Sequence, residues 1–326
     1  MILSRTKSAK DRGMANCGQN MKILITGAYG FVGTNLCRHL AGKGHECIAL
    51  DLPDARRDDV PYSSFLSWDD LAALPAVDAV VHLAGKAHDT KNTSAPQSYF
   101  DVNVGLTQRI FSAAEGKTKR FIYFSSIKAL DGDTPYAQSK REAEKWLNGR
   151  AIVLEPAMIH GPGNKGNLNL LVKVVKKGIP WPLAAFENRR SFTSIGNICA
   201  AVEALAERGE NGTYPICDDV PVGTNRLIEL IAEAYGMKAR LWKVPRWIMR
   251  LTASTGTVLH LPLNGERLGK LTEDSVVDNS AIRAALGWDR MPVGAEEGLK
   301  ATLAEFARAD RLEESPRRET KEVNHV

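Results

Sequence analysis

Residues Lys22–Gly33 have the sequence KILITGAYGFVG, which is the most informative pattern in the chain. Its first part, Ile23–Thr26, is apolar or β-branched, as is typical of a buried strand. Gly27, Gly30 and Gly33 follow at three-residue spacing, and a helical pattern of apolar residues begins directly after them. A strand that turns through glycines into a helix points free backbone N–H groups and the positive end of the helix at a phosphate. The stretch therefore predicts a dinucleotide-binding turn.

An acidic residue follows this turn at the sequence separation that is typical of dinucleotide-binding sites. The next apolar strand, Glu46–Leu50, ends directly before Asp51, which lies 18 residues beyond Gly33. A carboxylate about 20 residues after the glycines accepts a hydrogen bond from the adenosine ribose in sites of this type. Asp51 is therefore the predicted ribose ligand.

The rest of the first half alternates apolar strands with helical patterns. Further apolar runs begin at Ala79, Phe121 and Ala151, and helical patterns occupy regions near 34–42, 96–115 and 136–148. Continuously apolar strands indicate burial on both faces, as in a parallel sheet between two helix layers. The second half is richer in loops, Pro and Gly. We expect an α/β fold, a Rossmann-type doubly wound parallel sheet with a smaller C-terminal substrate-binding lobe.

These patterns divide the chain into four parts. We expect residues 1–20 to form a disordered N-terminal extension and residues 21–160 to form an NAD-binding Rossmann domain. Residues 161–307 are expected to be mainly the substrate-binding lobe, with some segments returning to the first domain. Residues 308–326 are highly charged without periodicity, which predicts a solvated, frayed tail.

Composition argues against several classes of protein. The formal net charge is only +5, and no basic stripe with interleaved aromatic residues occurs, so nucleic acid is not an expected partner. No apolar run is long enough to cross a bilayer, and the N-terminus lacks an apolar signal-peptide core. The five cysteines have neither paired nor metal-type spacing. We expect reduced thiols, no metal site and a cytoplasmic location.

A second motif carries side chains suited to proton transfer. Tyr136 and Lys140 are four residues apart and share one face of a predicted helix. An ammonium group near a phenol lowers the pKa of the phenol, which would make Tyr136 a proton donor and acceptor near neutral pH. Ser126 ends an apolar strand ten residues before Tyr136, where its hydroxyl can hold a substrate oxygen. Ser126, Tyr136 and Lys140 are the predicted catalytic residues.

Taken together, these motifs resemble one known family. The glycine turn, Asp51, His82–Gly85, Asn103–Val104, Phe124–Ser126 and the Tyr136/Lys140 pair are similar to the extended short-chain dehydrogenase/reductases, the NAD-dependent epimerase/dehydratase family, over roughly residues 21–305. Four further stretches look like bacterial reductases of UDP-4-keto-6-deoxy-N-acetylglucosamine, which serve O-antigen and lipopolysaccharide synthesis. They are Ser125–Lys128, Gly161–Asn167, Asn188–Ser191 and Leu286–Trp288.

The resemblance implies a cofactor, a substrate and a set of contacts. NAD(H) is implied as the preferred cofactor through Asp51, and NADP(H) stays possible because Arg56 and Arg57 lie close behind. A UDP-sugar substrate and a homodimer are also implied. The implied cofactor-binding residues are Gly27, Tyr29, Gly30, Phe31, Val32, Gly33, Asp51, Leu83, Ala84, Gly85, Asn103, Tyr136 and Lys140. The implied substrate-binding residues are Lys86, His88, Ser126, Asn167 and Arg190, of which Asn167 and Arg190 are assigned to the UDP group.

The resemblance leaves the reaction open. A 4-reductase delivers hydride to the C4 keto group of a UDP-4-keto-6-deoxy-hexosamine, whereas a 4-epimerase of UDP-hexoses or UDP-N-acetylhexosamines keeps its NAD. The subfamily motifs favour the reductase. A 4,6-dehydratase is disfavoured because Ile127 and Lys128 stand where such enzymes carry an acid pair. A non-catalytic nucleotide-sensing protein is disfavoured because Tyr136 and Lys140 are both present. The interval between Ser126 and Tyr136 is shorter than in relatives, which changes the loop beside the sugar.

Overall fold

The computed structural model describes residues 20–86, 95–164, 166, 168–258 and 264–323. Its centre is a seven-stranded sheet with the order β10-β6-β5-β4-β1-β2-β3, in which neighbouring strands are parallel. The strands of the chain are β1 (Lys22–Thr26), β2 (Glu46–Leu50), β3 (Ser64–Leu66), β4 (Val77–His82), β5 (Thr118–Phe124), β6 (Ile152–Pro156), β7 (Met158–His160), β8 (Arg189–Arg190), β9 (Phe192–Ser194), β10 (Gly212–Ile216) and β11 (Val222–Gly223).

Helices cover both faces of this sheet and form much of the C-terminal half. The helices of the chain are α1 (Phe31–Gly42), α2 (Gln97–Phe100), α3 (Thr107–Ala114), α4 (Lys128–Asp131), α5 (Pro135–Leu147), α6 (Leu168–Lys176), α7 (Ile195–Arg208), α8 (Thr224–Ala234), α9 (Arg246–Val258), α10 (Gly265–Thr272), α11 (Ser280–Leu286) and α12 (Ala295–Val323). A π-helical turn, Asp101–Leu106, joins α2 to α3, and short 3₁₀ turns occupy Pro53–Ala55 and Trp68–Ala73.

Burial on both faces explains why the strands are continuously apolar. In β1, Ile23 and Ile25 enter the core beneath α1 and α7, whereas Leu24 between them enters the core beneath α3 and α5. Successive residues of a strand point to opposite faces, so both sets must be apolar when both faces are covered. The predicted doubly wound parallel sheet is confirmed.

The order of the strands creates a crevice at the carboxyl ends of the central strands. The chain runs outward from β1 through β2 to β3, then crosses back to β4 on the other side of β1. The loops after β1 and β4 therefore diverge at the carboxyl ends of these two strands. Ligands of open α/β sheets bind at such a switch point.

The C-terminal half has an apolar core of its own. Leu227 and Ile231 of α8 pack there with Leu299 and Leu303 of α12, and all four side chains are buried. Short ladders, β7 with β9 and β8 with β11, border this core. Helix α7 and strand β10 return to the main sheet, since β10 pairs with β6 and α7 packs against α1.

Two features differ from the sequence-based expectation. Helix α12 continues to Val323, so most of the predicted frayed tail at 308–326 is helical. Its Arg, Glu, Lys and Ala residues are strong helix formers, and helix propensity needs no apolar periodicity. Strands β3 and β10 extend the sheet at its two edges but were not predicted. Residues 1–19 of the predicted N-terminal extension lie outside the described residues. Among the described helices, none has the length and apolarity needed to cross a membrane.

Candidate active site

The glycine turn is built as its sequence predicts. Gly27 has a φ of +68°, and a Cβ atom placed on it would lie 2.9 Å from the Ala84 backbone nitrogen. A Cβ on Gly33 would lie 2.3 Å from the Gly27 carbonyl oxygen. The first turn of α1 is thus pressed against the end of β1, and only hydrogen atoms fit between them. This close packing leaves the helix N-terminus open toward the crevice, which fits a pyrophosphate.

Asp51 lies beside this turn at the end of β2. Its carboxylate accepts hydrogen bonds from the Tyr29 backbone N–H at 3.1 Å and from the Leu52 backbone N–H at 2.8 Å. Arg57, which could contact a 2′-phosphate, is held by Asp59 in a two-bond ion pair at 2.9 and 2.7 Å. The Arg56 guanidinium donates to the Tyr62 hydroxyl at 2.9 Å. The arrangement therefore places a carboxylate beside the glycine turn, where the sequence predicts the ribose, while both arginines already have partners.

The predicted catalytic side chains meet in one cleft. Ser126 and Tyr136 line a cavity of about 810 Å³, and their hydroxyl groups are hydrogen-bonded to each other. Burial raises the pKa of Tyr136, and the bond with Ser126 only partly offsets this. The sequence-based expectation that the pKa of Tyr136 is lowered is therefore wrong in direction. The phenol is protonated at neutral pH and is suited to donate a proton.

Lys140 is fully enclosed behind this pair. Its ammonium group donates to the Phe124 carbonyl oxygen at 2.7 Å and lies 4.8 Å from the centre of the Tyr123 ring. Burial lowers the pKa of Lys140 to about 8, although the nearby Glu144 carboxylate favours the charged form. A Cβ atom on Gly85 would lie 2.9 Å from Asn103 Oδ1 and 3.4 Å from the Lys140 ammonium, so the loop after β4 passes close to both side chains.

Asn103 connects the loop after β4 to helix α5, which carries Tyr136 and Lys140. Its side chain accepts from the Lys86 N–H at 2.8 Å and donates to the Ser139 hydroxyl at 2.9 Å. The Ser139 hydroxyl in turn donates to the Tyr136 carbonyl oxygen at 2.8 Å. Asn103 stands in the π-helical turn, a local distortion common at functional sites. In this structure Asn103 fixes the loop that the resemblance assigns to the cofactor.

A neutral histidine ties the same loop to β1. The Thr26 hydroxyl accepts from the Ala84 N–H at 3.1 Å, which leaves its own proton for Nδ1 of His82 at 2.7 Å. Nε2 of His82 then donates to the Thr107 hydroxyl at 3.0 Å. Complete burial, with a smaller effect of Lys140, lowers the pKa of His82 to about 3. His82 is therefore neutral and holds the loop without taking part in proton transfer.

The charged lining of the cavity is mainly cationic, and we refer to it as the cationic wall. Lys128, Lys173 and Arg190 line the cavity against one carboxylate, Asp131, and a guanidinium with two ammonium groups suits a diphosphate. Arg190 donates to the Lys270 carbonyl oxygen, which links the cavity to α10. Lys128 belongs to α4, the single turn that fills the short interval before Tyr136. Arg141 holds this turn by donating to the Ala129 carbonyl oxygen at 2.6 Å.

Of the other predicted substrate-binding residues, Lys86 lies among the described residues and outside the catalytic cavity. Lys86 does not line the 810 Å³ cavity, and its ammonium lies 5.5 Å from the centre of the Tyr99 ring. The Tyr99 ring packs edge-on against Tyr136 with 6.3 Å between centroids. The Tyr99 ring therefore contacts both Lys86 and Tyr136 and lies between them. His88 and Asn167 lie outside the described residues.

Sequence reasoning missed an acidic network behind Lys140. Glu144 is hydrogen-bonded to the Ser125 hydroxyl, and burial raises the pKa of Glu144. Glu155 on β6 is 1% exposed, and its Oε2 atom has no hydrogen-bond partner among the described residues. Burial, with a further effect of Glu144, raises the pKa of Glu155 to about 7. Two signals were available: Glu144 continues the i, i+4 spacing of Tyr136 and Lys140, and Glu155 interrupts an apolar strand.

Known proteins show the family to which the chain belongs. The family model described as "NAD dependent epimerase/dehydratase family" matches residues 23–217, a range that includes the glycine turn, Asp51 and the predicted catalytic residues. The chain belongs to this family. Its membership confirms the resemblance stated above and the prediction of an NAD-dependent enzyme.

Individual relatives extend the comparison beyond the matched segment. A UDP-glucose 4-epimerase of Vibrio cholerae is 30% identical, with 88% of this chain and 96% of that protein covered. A UDP-2-acetamido-2,6-beta-L-arabino-hexul-4-ose reductase of Pseudomonas aeruginosa is 37% identical, but over 39% of this chain and 31% of that protein. In fold, the chain is similar to the Bordetella bronchiseptica enzyme WbmG in complex with NAD and UDP. The TM-score is 0.69 and the identity 18%, with 90% of this chain and 96% of that chain covered.

Proposed function

We propose that the protein reduces the C4 keto group of a UDP-4-keto-6-deoxy-hexosamine with NADH, in the synthesis of nucleotide sugars for a surface polysaccharide such as an O-antigen. The observation that carries this proposal is the cavity that Ser126 and Tyr136 line, with the buried ammonium group of Lys140 behind them. A phenol that donates a proton when a ketone is reduced accepts one when the alcohol is oxidised, so these residues serve both directions. The reductive direction is supported by the 37% identity to a UDP-2-acetamido-2,6-beta-L-arabino-hexul-4-ose reductase over 39% of the chain.

The three catalytic side chains then have distinct roles. Tyr136 donates its proton to the C4 oxygen, and Ser126, hydrogen-bonded to Tyr136, donates a hydrogen bond to the same oxygen and polarises the carbonyl. Lys140, held by the Phe124 carbonyl oxygen, places a positive charge behind the tyrosine and stabilises the phenolate that forms. The nicotinamide supplies the hydride when the cofactor is bound.

The cofactor preference follows from the ribose site. The Asp51 carboxylate would accept hydrogen bonds from the adenosine ribose hydroxyls and would repel a 2′-phosphate. Arg57 is already paired with Asp59, so its charge is partly neutralised before any phosphate arrives. We infer a preference for NAD(H) over NADP(H).

The cationic wall supports a substrate with a diphosphate. Arg190, Lys128 and Lys173 would grip the pyrophosphate of UDP, and the sugar would then reach inward to Ser126 and Tyr136. Burial lowers the pKa of Lys128, with Lys270 acting in the same direction. A bound diphosphate would compensate both effects. Asn167 and His88 remain proposed contacts to the nucleotide and the sugar.

A second candidate function is 4-epimerisation of a UDP-hexose or UDP-N-acetylhexosamine with retained NAD. It is favoured by the Vibrio cholerae relative, a UDP-glucose 4-epimerase aligned over 96% of its length. The same three residues serve this reaction, since it consists of an oxidation and a reduction at one carbon. The two functions differ in whether reduced cofactor is consumed.

One assay separates the two functions. Purified protein is given UDP-4-keto-6-deoxy-N-acetylglucosamine and NADH, and in parallel UDP-N-acetylglucosamine without added cofactor. The reductase consumes one NADH for each 6-deoxy sugar formed, which absorbance and NMR measure together. Interconversion of UDP-N-acetylglucosamine and UDP-N-acetylgalactosamine without NADH loss would establish the epimerase instead. In either case Tyr136→Phe should abolish turnover and leave cofactor binding nearly unchanged.

A further inference from the structure

One segment of the C-terminal lobe has an unusual charge pattern. Residues 234–258 contain five basic residues and no Asp or Glu, so this short segment carries as much positive charge as the formal net charge of +5 of the whole chain. The five are Lys238, Arg240, Lys243, Arg246 and Arg250. Two neighbouring carboxylates have other partners, since Glu233 binds Arg226 at 3.0 Å and Asp310, which also accepts from the Tyr235 hydroxyl, binds Lys176 at 2.6 Å. Three further carboxylates, Glu187, Glu273 and Asp274, line a cavity with Arg246 and Arg250, so the positive charge of the segment is offset on that side and not elsewhere among these neighbours.

Large apolar side chains are exposed within the same segment. Trp242 is 58% exposed, Trp247 67% and Leu251 61%. Trp247 and Leu251 are four residues apart on α9, so they share one face of this helix. The opposite face of α9 carries Met249 and Ala253, which are buried in the core of the lobe. Helix α9 is thus anchored by one face and presents a tryptophan and a leucine outward.

The residues before α9 belong to the same surface. The Trp242 carbonyl oxygen accepts from the Ala184 N–H at 3.2 Å, and the Arg246 guanidinium donates to the Ala185 carbonyl oxygen at 2.9 Å. Ala184 and Ala185 are adjacent, so the Trp242 backbone and the Arg246 guanidinium, which they bind, lie next to each other. The combined surface, here named the aromatic–basic face, consists of Trp242, Lys243, Arg246, Trp247, Arg250 and Leu251.

We propose that the aromatic–basic face docks the protein onto the surface of an anionic lipid bilayer. Tryptophan prefers the headgroup level of a membrane, and basic residues around it are attracted to anionic lipid headgroups. The arginine and lysine stems cover apolar surface while their charged ends reach the phosphates. No described helix can span a bilayer, so the attachment is peripheral.

The position of the face relates docking to catalysis. Arg246 and Arg250 line a second cavity, of about 840 Å³, together with Glu187 and Asn188. Asn188 is two residues from Arg190, which lines the catalytic cavity. The acidic residues of this second cavity, Glu187, Glu273 and Asp274, lie on the side toward β8 and α10. The two cavities are therefore bordered by neighbouring residues of the β8 segment and of the segment after α10, since Asp274 lines the second cavity and Ser275 the catalytic one. Docking through Arg246 and Arg250 would bring this border toward the lipid headgroups.

Vesicle co-sedimentation of the full chain tests this proposal. The vesicles contain either phosphatidylcholine alone or phosphatidylcholine with about one-third phosphatidylglycerol. We expect binding to the anionic vesicles that weakens when NaCl is raised from about 0.1 M to about 0.5 M, because the charges are exposed and therefore screened. The double variant W247S/R250Q should lose at least about tenfold in partition coefficient, because it removes an interfacial aromatic anchor together with a charge.

A matched control carries equivalent changes elsewhere. Leu312 is 66% exposed, and Arg308 pairs with Glu305 on an exposed turn of α12, so L312S/R308Q should bind vesicles like the unaltered protein. Brominated lipids should quench part of the tryptophan fluorescence of the unaltered protein. This quenching should be absent in W242F/W247F. Activity on the free nucleotide sugar should be unchanged in W247S/R250Q, which separates this proposal from the proposed function.

Three outcomes would overturn the proposal. The first is absence of binding of the unaltered protein to anionic vesicles. The second is equal binding of W247S/R250Q and the control variant. The third is a change of partner: a dimer in analytical ultracentrifugation, or binding to single-stranded DNA, that W247S/R250Q abolishes while vesicle binding is absent. The third result would assign the aromatic–basic face to self-association or to nucleic acid.

Discussion

The ammonium group of Lys140 donates a hydrogen bond to the Phe124 carbonyl oxygen at 2.7 Å, which ties the catalytic helix α5 to the last residue of strand β5. Ser126 follows Phe124 by two residues, and Tyr136 stands one helical turn before Lys140. This one bond therefore fixes the distance between the two elements that carry the catalytic hydroxyl groups. It also keeps the amine in a buried place, where its pKa falls to about 8.

The lowered pKa of Lys140 predicts a pH limit on activity. We expect kcat/KM to fall as the pH rises through about 8, because deprotonation removes the positive charge behind Tyr136. Lys140→Met should lower kcat by about 10²-fold or more and remove this falling limb. Lys145→Met, an exposed change on the same helix, serves as the control. A pH profile that stays flat to pH 10 in the unaltered enzyme would contradict this role of Lys140.

Asp51 predicts the choice between the two nicotinamide cofactors. NADH should bind at least about tenfold more tightly than NADPH, because a hydrogen bond to a charged group contributes about 1.5–3 kcal/mol. Asp51→Ser should weaken NADH binding and narrow this ratio, whereas Asp54→Ser, an exposed change three residues later, should leave it unaltered. Fluorescence titration of the three proteins with each cofactor measures all six binding constants. Tighter binding of NADPH by the unaltered protein would show that Arg56 and Arg57 overrule Asp51.

Glu155 predicts a dependence of stability on pH. Its pKa in the folded protein is raised to about 7, above the ordinary value near 4.5, so the folded state holds a proton that the unfolded state releases. The free energy of unfolding should therefore fall as the pH rises from about 4.5 through 7. Glu155→Gln should stabilise the protein by about 2 kcal/mol at pH 8 and have little effect at pH 5. Urea unfolding at both pH values measures this, and an equal effect at both would count against a buried, protonated Glu155.

The glycine turn predicts a sharp contrast between two substitutions in α1. Gly33→Ala places a methyl group 2.3 Å from the Gly27 carbonyl oxygen, which is backbone and cannot give way cheaply. We expect a loss of about 3 kcal/mol in the free energy of unfolding, together with weaker cofactor binding. Gly42→Ala, in the last turn of the same helix, meets nothing within 4 Å and should be neutral or stabilising by up to about 1 kcal/mol. Similar effects of both changes would refute the close packing of α1 on β1.

The parts of the fold that sequence predicted correctly are those set by short-range patterns. The run Ile23–Thr26, the glycines after it and the apolar strands each carry their signal within about ten residues. Strand β3 has only three residues and joins the sheet through Ile48 and its neighbours on β2, so its pairing is not visible in its own sequence. Strand β10 pairs with Ile152 and its neighbours some 60 residues away along the chain.

The pKa values of the site residues were harder to predict from the sequence than which residues form the site. Spacing placed Tyr136 and Lys140 on one helix face, but it could not show how deeply they are buried, and burial determines the pKa of both. The charged wall of the cavity needs Lys173 and Arg190, which come from separate elements of the C-terminal lobe. Their meeting depends on how that lobe packs, which no local pattern encodes.

Transfer of deuterium from the cofactor to the sugar distinguishes a 4-reductase from an enzyme that retains its NAD. The protein is given UDP-4-keto-6-deoxy-N-acetylglucosamine with NADH that carries deuterium on the transferred position of C4 of the nicotinamide, and the product is analysed by NMR. We expect one deuterium at C4 of the 6-deoxy sugar for each cofactor oxidised, and none when Tyr136→Phe replaces the unaltered enzyme. A sugar product without deuterium, formed with no loss of the reduced cofactor, would contradict the reductase and leave epimerisation with retained NAD.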